Sequence, residues 1–374
     1  MRRFLASVLR WSAPGGLLLA LAACVDPYMP PVLDANANYL VVDGFLNGNG
    51  RTRISLTRTT NTAATSAPPP ERGARLTLVD DAGTRYPLTE TSPGRYRSDS
   101  LLLSPARQYQ LRLTTSAGVA YASDLVPLKI TPAIDQCRWR LANNQVQLLL
   151  STHDATQASR YYRWGFVETW EFQSAFESEL EYRGGRLDYR ITPIYTCWRT
   201  ERPSAIRQAS TAQLSQDAIT DLQLLSLGSR TERFKIRYSA LVSQYTETPA
   251  EFAYYELLRK NTEAVGGVND PLPTQLSGNV HRLDNPAEPV LGFVSAHTVQ
   301  QQRLFINRQD LPLLNNLAYD TPYRDCTLSK AVAGLDFSRP DIVAIRQDTA
   351  GLLVSSAACA DCRLRGTNVK PSFW

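Results

Sequence analysis

Residues 161–172 read Tyr-Tyr-Arg-Trp-Gly-Phe-Val-Glu-Thr-Trp-Glu-Phe. The even positions, Tyr162, Trp164, Phe166, Trp170 and Phe172, are aromatic except for Glu168, while Arg163, Gly165, Val167, Thr169 and Glu171 fill the odd ones. A period of two puts alternate side chains on opposite faces of a pleated strand, a surface that aromatic residues favour. The stretch therefore predicts a long strand with one aromatic face. Each such ring can bury roughly 150–250 Å², so a core face is the preferred reading. The competing reading is an open surface on which sugars could stack, with Trp164, Trp170 and Trp198 as the candidate ligand platform. Large exposed apolar patches are uncommon on soluble faces, which weighs against it. Glu168 facing inward requires a partner such as an arginine; a bulge would turn it outward instead.

The same alternation continues on both sides. Ile54 and Leu56, Leu76 and Leu78, and Tyr109, Leu111 and Leu113 each skip one residue. Turn signals separate these runs at Asn47-Gly48-Asn49-Gly50, Asp81-Ala82-Gly83, Pro93-Gly94 and Ser116-Ala117-Gly118. About seven short strands at this spacing predict an immunoglobulin-like β-sandwich over residues 38–126. Pro127 and Pro132 mark a boundary over 125–136. A larger β-rich domain follows over 136–374, with strands at Val146–Leu150 and Phe234–Val242. One helix is signalled there. Thr248 caps, Pro249 suits the first position, Glu251 completes a capping box, and Phe252, Tyr255 and Leu258 share a face. The fold class is thus mainly β with one or a few short helices.

Upstream, Arg2 and Arg3 precede an apolar run peaking at Leu17–Leu21, and Leu21-Ala22-Ala23-Cys24 closes it. The run is short of the ~20 residues a spanning helix needs. A basic start, a brief apolar centre and small residues at the cut form a secretory signal over 1–23. The cysteine after two alanines matches a bacterial lipobox, which makes Cys24 the lipidation residue and 24–37, with Pro27, Pro30 and Pro31, a lipidated tether. Ordinary secretion with a chance cysteine is the competing reading. Processing lowers the formal charge from +5 to +2, because Arg2, Arg3 and Arg10 leave. Forty bases against thirty-five acids, scattered along the chain, form no stripe for a phosphate backbone, so no nucleic-acid partner is expected.

Chemistry-bearing motifs are sparse. Cys359-Ala360-Asp361-Cys362 is a CxxC without the βαβ context of a redox centre, and the partner spacing of a zinc site is missing. In an exported chain it reads as a disulfide clasp. His153, His281 and His297 form no HExxH or HxH pattern. No GxSxG elbow, phosphate-cradling loop or EF-hand is present. The sequence therefore predicts no catalytic, cofactor-binding or metal residues. Carboxylates for glycoside hydrolysis would be distant in sequence and would leave no motif.

The chain resembles the Bacteroidota lipoprotein family catalogued as domain of unknown function 4249. The matching pieces are Cys24-Val25-Asp26-Pro27, Leu40-Val41-Val42-Asp43-Gly44, Gly94-Arg95-Tyr96, Tyr161-Tyr162-Arg163-Trp164 and Tyr195-Thr196-Cys197-Trp198. Asn269-Asp270-Pro271-Leu272-Pro273, Ser277-Gly278-Asn279, Leu291-Gly292-Phe293 and the ending CADCRLRGTNVKPSFW continue the series. The resemblance implies an outer-membrane, lipid-anchored protein, often encoded beside TonB-dependent transporters, with no established enzymatic activity. It also makes Cys137 the odd thiol. Cys197, Cys326, Cys359 and Cys362 are then the disulfide candidates, and the preferred pairing joins Cys326 to one cysteine of the CxxC and Cys197 to the other. Three connectivities remain open on sequence. The leading expectation is a non-enzymatic lipoprotein, accessory to a TonB-dependent transporter or a surface assembly. A surface glycan- or peptide-binding protein, motivated by Trp139, Trp198 and Trp374, is the alternative, and a hydrolase with an unrecognised site is the third reading.

Overall fold

A computed structural model describes residues 38–60, 66–263, 278–311, 319–349 and 351–374. The signal segment 1–23, Cys24 and the tether 24–37 lie outside the described residues, as does the Asn269–Pro273 motif.

The protein is mainly β. Leu40–Asn47 folds back on Arg51–Arg58 through the Asn-Gly turn, and the ladder continues through Arg95–Ser100, Arg85–Ser92, Arg75–Asp80 and Gln108–Thr114. Gln108–Thr114 next pairs with Val126–Lys129, which runs parallel to Ala296–His297. That two-residue strand pairs in turn with Leu40–Asn47, so the sheet closes on itself in a barrel-like ring. The expected immunoglobulin-like sandwich would present two separate sheets; hydrogen bonding here links the strands into one. Leu40, Val42, Leu46, Ile54, Leu56, Leu76, Leu78, Tyr96, Leu111 and Leu113 fill its interior. They are the apolar positions of the period-two pattern.

Residues 278–298 return to this first unit from far along the chain, crossing the linear division at 126–136. Val280–Arg282 pairs with Ala120–Ser123, and Leu291 bridges Val41. Two glycines permit the approach. A Cβ on Gly292 would lie 1.9 Å from the Val42 carbonyl oxygen, and one on Gly278 would lie 1.7 Å from that of Gly292. Gly292 also has φ +118°, a conformation that other residues rarely adopt.

The second unit packs two sheets face to face. One contains Ile134–Ala142, Gln145–His153 and Ala218–Gly228. The other carries Tyr161–Gln173 at its centre, flanked by Arg237–Thr246 on one side and by Thr196–Glu201 and Arg207–Ser210 on the other, with Gln300–Asn307 beyond. Val146, Leu148 and Leu150 meet the even-numbered aromatics across this core. The strand expected over Phe234–Val242 begins only at Arg237, because Glu232–Phe234 forms a 3-10 turn that delivers Phe234 to the core.

The expected helix forms as Pro249–Glu263, and Thr248 Oγ1 accepts the Glu251 amide at 3.1 Å. The reciprocal half of the capping box is replaced, since the Glu251 side chain turns to Arg163 and Ser295. A small sheet of Ser329–Lys330, Gly351–Ser356 and Ile342–Asp348 completes the fold.

Candidate functional site

Arg163 stands on the face of its strand opposite the aromatic row, and around it the two β units and the helix meet. Its Nε donates to Glu247 Oε1 at 2.5 Å and its Nη2 to Glu251 Oε1 at 3.4 Å. The guanidinium also lies 4.2 Å from the Tyr255 ring centroid and 4.9 Å from that of Tyr245. Glu247 accepts from Gln208 Nε2 at 2.6 Å, and Glu251 from Ser295 Oγ at 2.8 Å. The first unit contributes Phe45, whose ring stacks on His297 at 4.2 Å and meets Tyr245 edge-on at 5.4 Å. His297 Nε2 is 3.7 Å from Glu251 Oε1.

The acids and histidine of this cluster are buried, while the Arg163 side chain is 17% exposed. The side chains of Glu247, Glu251 and His297 are 0–1% exposed. Burial pushes Glu251 up to about 7; the Arg163 charge opposes the rise and the like charge of Glu247 adds to it. Glu247 is raised for the same first reason, with Arg163 opposing. Burial holds His297 well below the usual imidazole range, and the neighbouring Arg163 charge lowers it further. Among the described residues one cation, Arg163, faces two carboxylates, and Glu251 Oε2 has no hydrogen-bond partner. Both carboxyls are thus raised by burial, while the lowered His297 is neutral at neutral pH. Its chemistry is that of a buried ionic joint.

The sequence-expected residues fall elsewhere. Trp164 and Trp170 are 1% and 3% exposed, so they belong to the core and offer no stacking face; the ligand platform is corrected on this point. Trp164 Nε1 donates to Gln244 Oε1 at 2.9 Å. Trp198, opposite Glu171 in the ladder, is half-buried beneath the C-terminal segment, where its backbone pairs with Thr367. Glu168 faces inward and has the partner its position demands: it accepts from the Tyr238 hydroxyl at 2.7 Å, with Arg233 Nε 3.7 Å away. Disulfides join Cys197 to Cys362 and Cys326 to Cys359, and Cys137 is free. Burial pushes the Cys137 thiol up to about 11. Among the described residues, no group of three or more His, Cys, Asp or Glu side chains is placed to hold a metal ion.

The chain, whose first β unit is visited twice, matches the family described as domain of unknown function (DUF4249) over residues 25–303. The chain belongs to that family. The match ends before Cys326, so three of the four paired cysteines lie beyond it. No curated protein matches the chain. Among solved structures, the Yersinia pseudotuberculosis adhesin InvE is 11% identical with a TM-score of 0.17, covering 57% of this chain and 58% of its own. A DUF4785 family protein from Legionella pneumophila is also 11% identical with a TM-score of 0.17, covering 55% and 52%. Each match thus spans little more than half of the structure compared.

Proposed function

We propose that the protein is a non-enzymatic, lipid-anchored outer-membrane protein that serves as an accessory scaffold to a TonB-dependent transporter or a surface assembly. The observation that carries this reading is the location of the convergent titratable groups. Arg163, Glu247, Glu251 and His297 sit in a seam between two β units, where both acids and the histidine are buried and the Arg163 side chain is 17% exposed. A general acid or base must reach its substrate within hydrogen-bond distance. These groups instead join one body to another, as a protein that holds and presents requires. Leu21-Ala22-Ala23-Cys24 supplies the anchoring half of the reading.

The test is affinity purification of the full lipoprotein from its native membrane, with identification of what accompanies it. Stoichiometric recovery of a transporter or surface protein supports the scaffold. Recovery of the protein alone, together with turnover of a glycan or peptide substrate, contradicts it.

A further inference from the structure

The outward face of the first sheet carries a constellation that the junction does not use. In the ladder between Arg51–Arg58 and Arg95–Ser100, Arg53 lies directly opposite Arg97, and Ser55 opposite Arg95. Directly opposed side chains have Cβ atoms about 4.5–5.5 Å apart, where like charges are unfavourable. Other arginines of this protein meet carboxylates, as Arg58 does Glu71, Arg138 does Asp221 and Arg339 does Asp341. Arg53, Arg95 and Arg97 are all exposed, and among the described residues no acceptor engages any of their guanidiniums.

With Asp43, Ser55 and Thr91, these arginines line a cavity of about 330 Å³. That size is near the lower end of the roughly 300–1,000 Å³ of small-ligand sites. Three guanidiniums against one carboxylate leave a lining charge of +2. A phosphate monoester carries about −1.5 to −2 at neutral pH, which balances it, whereas a lone carboxylate would not. The planar donor fork of arginine also matches pairs of phosphate oxygens. We infer that the Arg53–Arg95–Arg97 cavity binds a phosphoryl group on a small ligand, either a soluble sugar phosphate or the phosphate of a lipid headgroup. The bound anion lies between Arg53 and Arg97 and relieves their mutual repulsion, and Ser55 and Thr91 provide hydroxyls beside it.

The experiment is calorimetric titration of the full-length protein in zwitterionic micelles with glucose 6-phosphate and, separately, with water-soluble dihexanoyl phosphatidic acid. Glucose is the control. Binding of glucose 6-phosphate identifies a soluble source, and binding of the phosphatidic acid alone identifies a headgroup; glucose does not bind in either case. Arg53→Gln, Arg97→Gln and Arg95→Gln each weaken binding roughly tenfold, as the loss of a charge-assisted contact does. The double variant R53Q/R97Q melts no lower than the parent without ligand, because a like-charge pair is removed. Absence of binding by both phosphate probes, or equal affinity in parent and double variant, overturns the proposal.

Discussion

Arg163 Nε sits 2.5 Å from Glu247 Oε1, and this contact is the centre of the seam between the two β units. The same guanidinium also reaches Glu251 through Nη2, so one mostly buried cation serves two carboxylates. Replacing it with methionine keeps the apolar stem and strands both acids. Breaking a buried pair by removing one partner typically costs about 3–5 kcal/mol. Arg163→Met is expected to lose stability in that range in urea titration. A loss near zero would mean that the seam contributes little.

The seam also fixes the sign of two pH effects. Glu251 is raised from 4.5 to about 7, so the native state keeps a proton that the unfolded chain releases. Its contribution therefore falls as pH rises through that window and is flat above it; Glu247, also raised by burial, acts in the same sense. His297 is lowered below 6.5, so the unfolded chain takes up a proton that the native state refuses, and stability falls as pH drops below that value. Relative to the parent, Glu251→Gln steepens the rise in stability with pH between 4.5 and 6.5, and His297→Phe removes the loss on the acid side. Denaturant midpoints measured across this range check it. Variants whose profiles run parallel to the parent would contradict the assigned directions.

Non-reducing peptide mapping is expected to recover Cys197 linked to Cys362 and Cys326 linked to Cys359. The pairs are 165 and 33 residues apart, closures worth about 5 and about 4 kcal/mol on loop-entropy grounds. Cys197→Ser, which opens the longer loop, is expected to be the more destabilising. Cys137, half-buried and with its thiol pushed up to about 11, alkylates slowly until the protein unfolds. Rapid native labelling of Cys137, or any other pairing, would contradict this arrangement.

Much of this was legible because it repeats at period two. The parity of Tyr162 to Phe172 identifies the core face, and the acid in that row correctly demands a partner, which Tyr238 and Arg233 provide. Thr248 and Pro249 mark the helix start. The return of 280–297 to the first sheet was not legible, since strands of two and three residues carry no periodicity. Nor was the seam. Arg163, Glu247 and His297 are far apart in sequence, and the Thr248–Glu251 spacing reads as a capping box until the fold brings Ser295 and Arg163 to the acid. That Arg53 and Arg97 face each other is apparent only once the register is known.

The C-terminal segment is docked on the second unit. Trp374 Nε1 donates to Glu171 Oε2 at 3.0 Å, Arg303 lies 3.5 Å over the Phe373 ring, and Trp198 N donates to the Thr367 carbonyl at 2.8 Å. Deleting Pro371–Trp374 is expected to cost about 1–3 kcal/mol and lower the melting temperature by several degrees. Unchanged melting with loss of a co-purifying partner would make the tail a handle instead.

We propose that this β scaffold is held to a membrane through Cys24. Acyl chains contribute about 0.8 kcal/mol per buried CH₂, so two or three of them give stable anchoring where a single chain binds only reversibly. Radiolabelled palmitate fed to cells expressing the full-length chain, followed by membrane fractionation, tests it against Cys24→Ser. The parent is expected to carry label and sediment with membranes, while Cys24→Ser is unlabelled, released to the soluble fraction and left unprocessed or miscleaved. A Cys24→Ser protein that is cleaved normally and stays on the membrane would contradict the account.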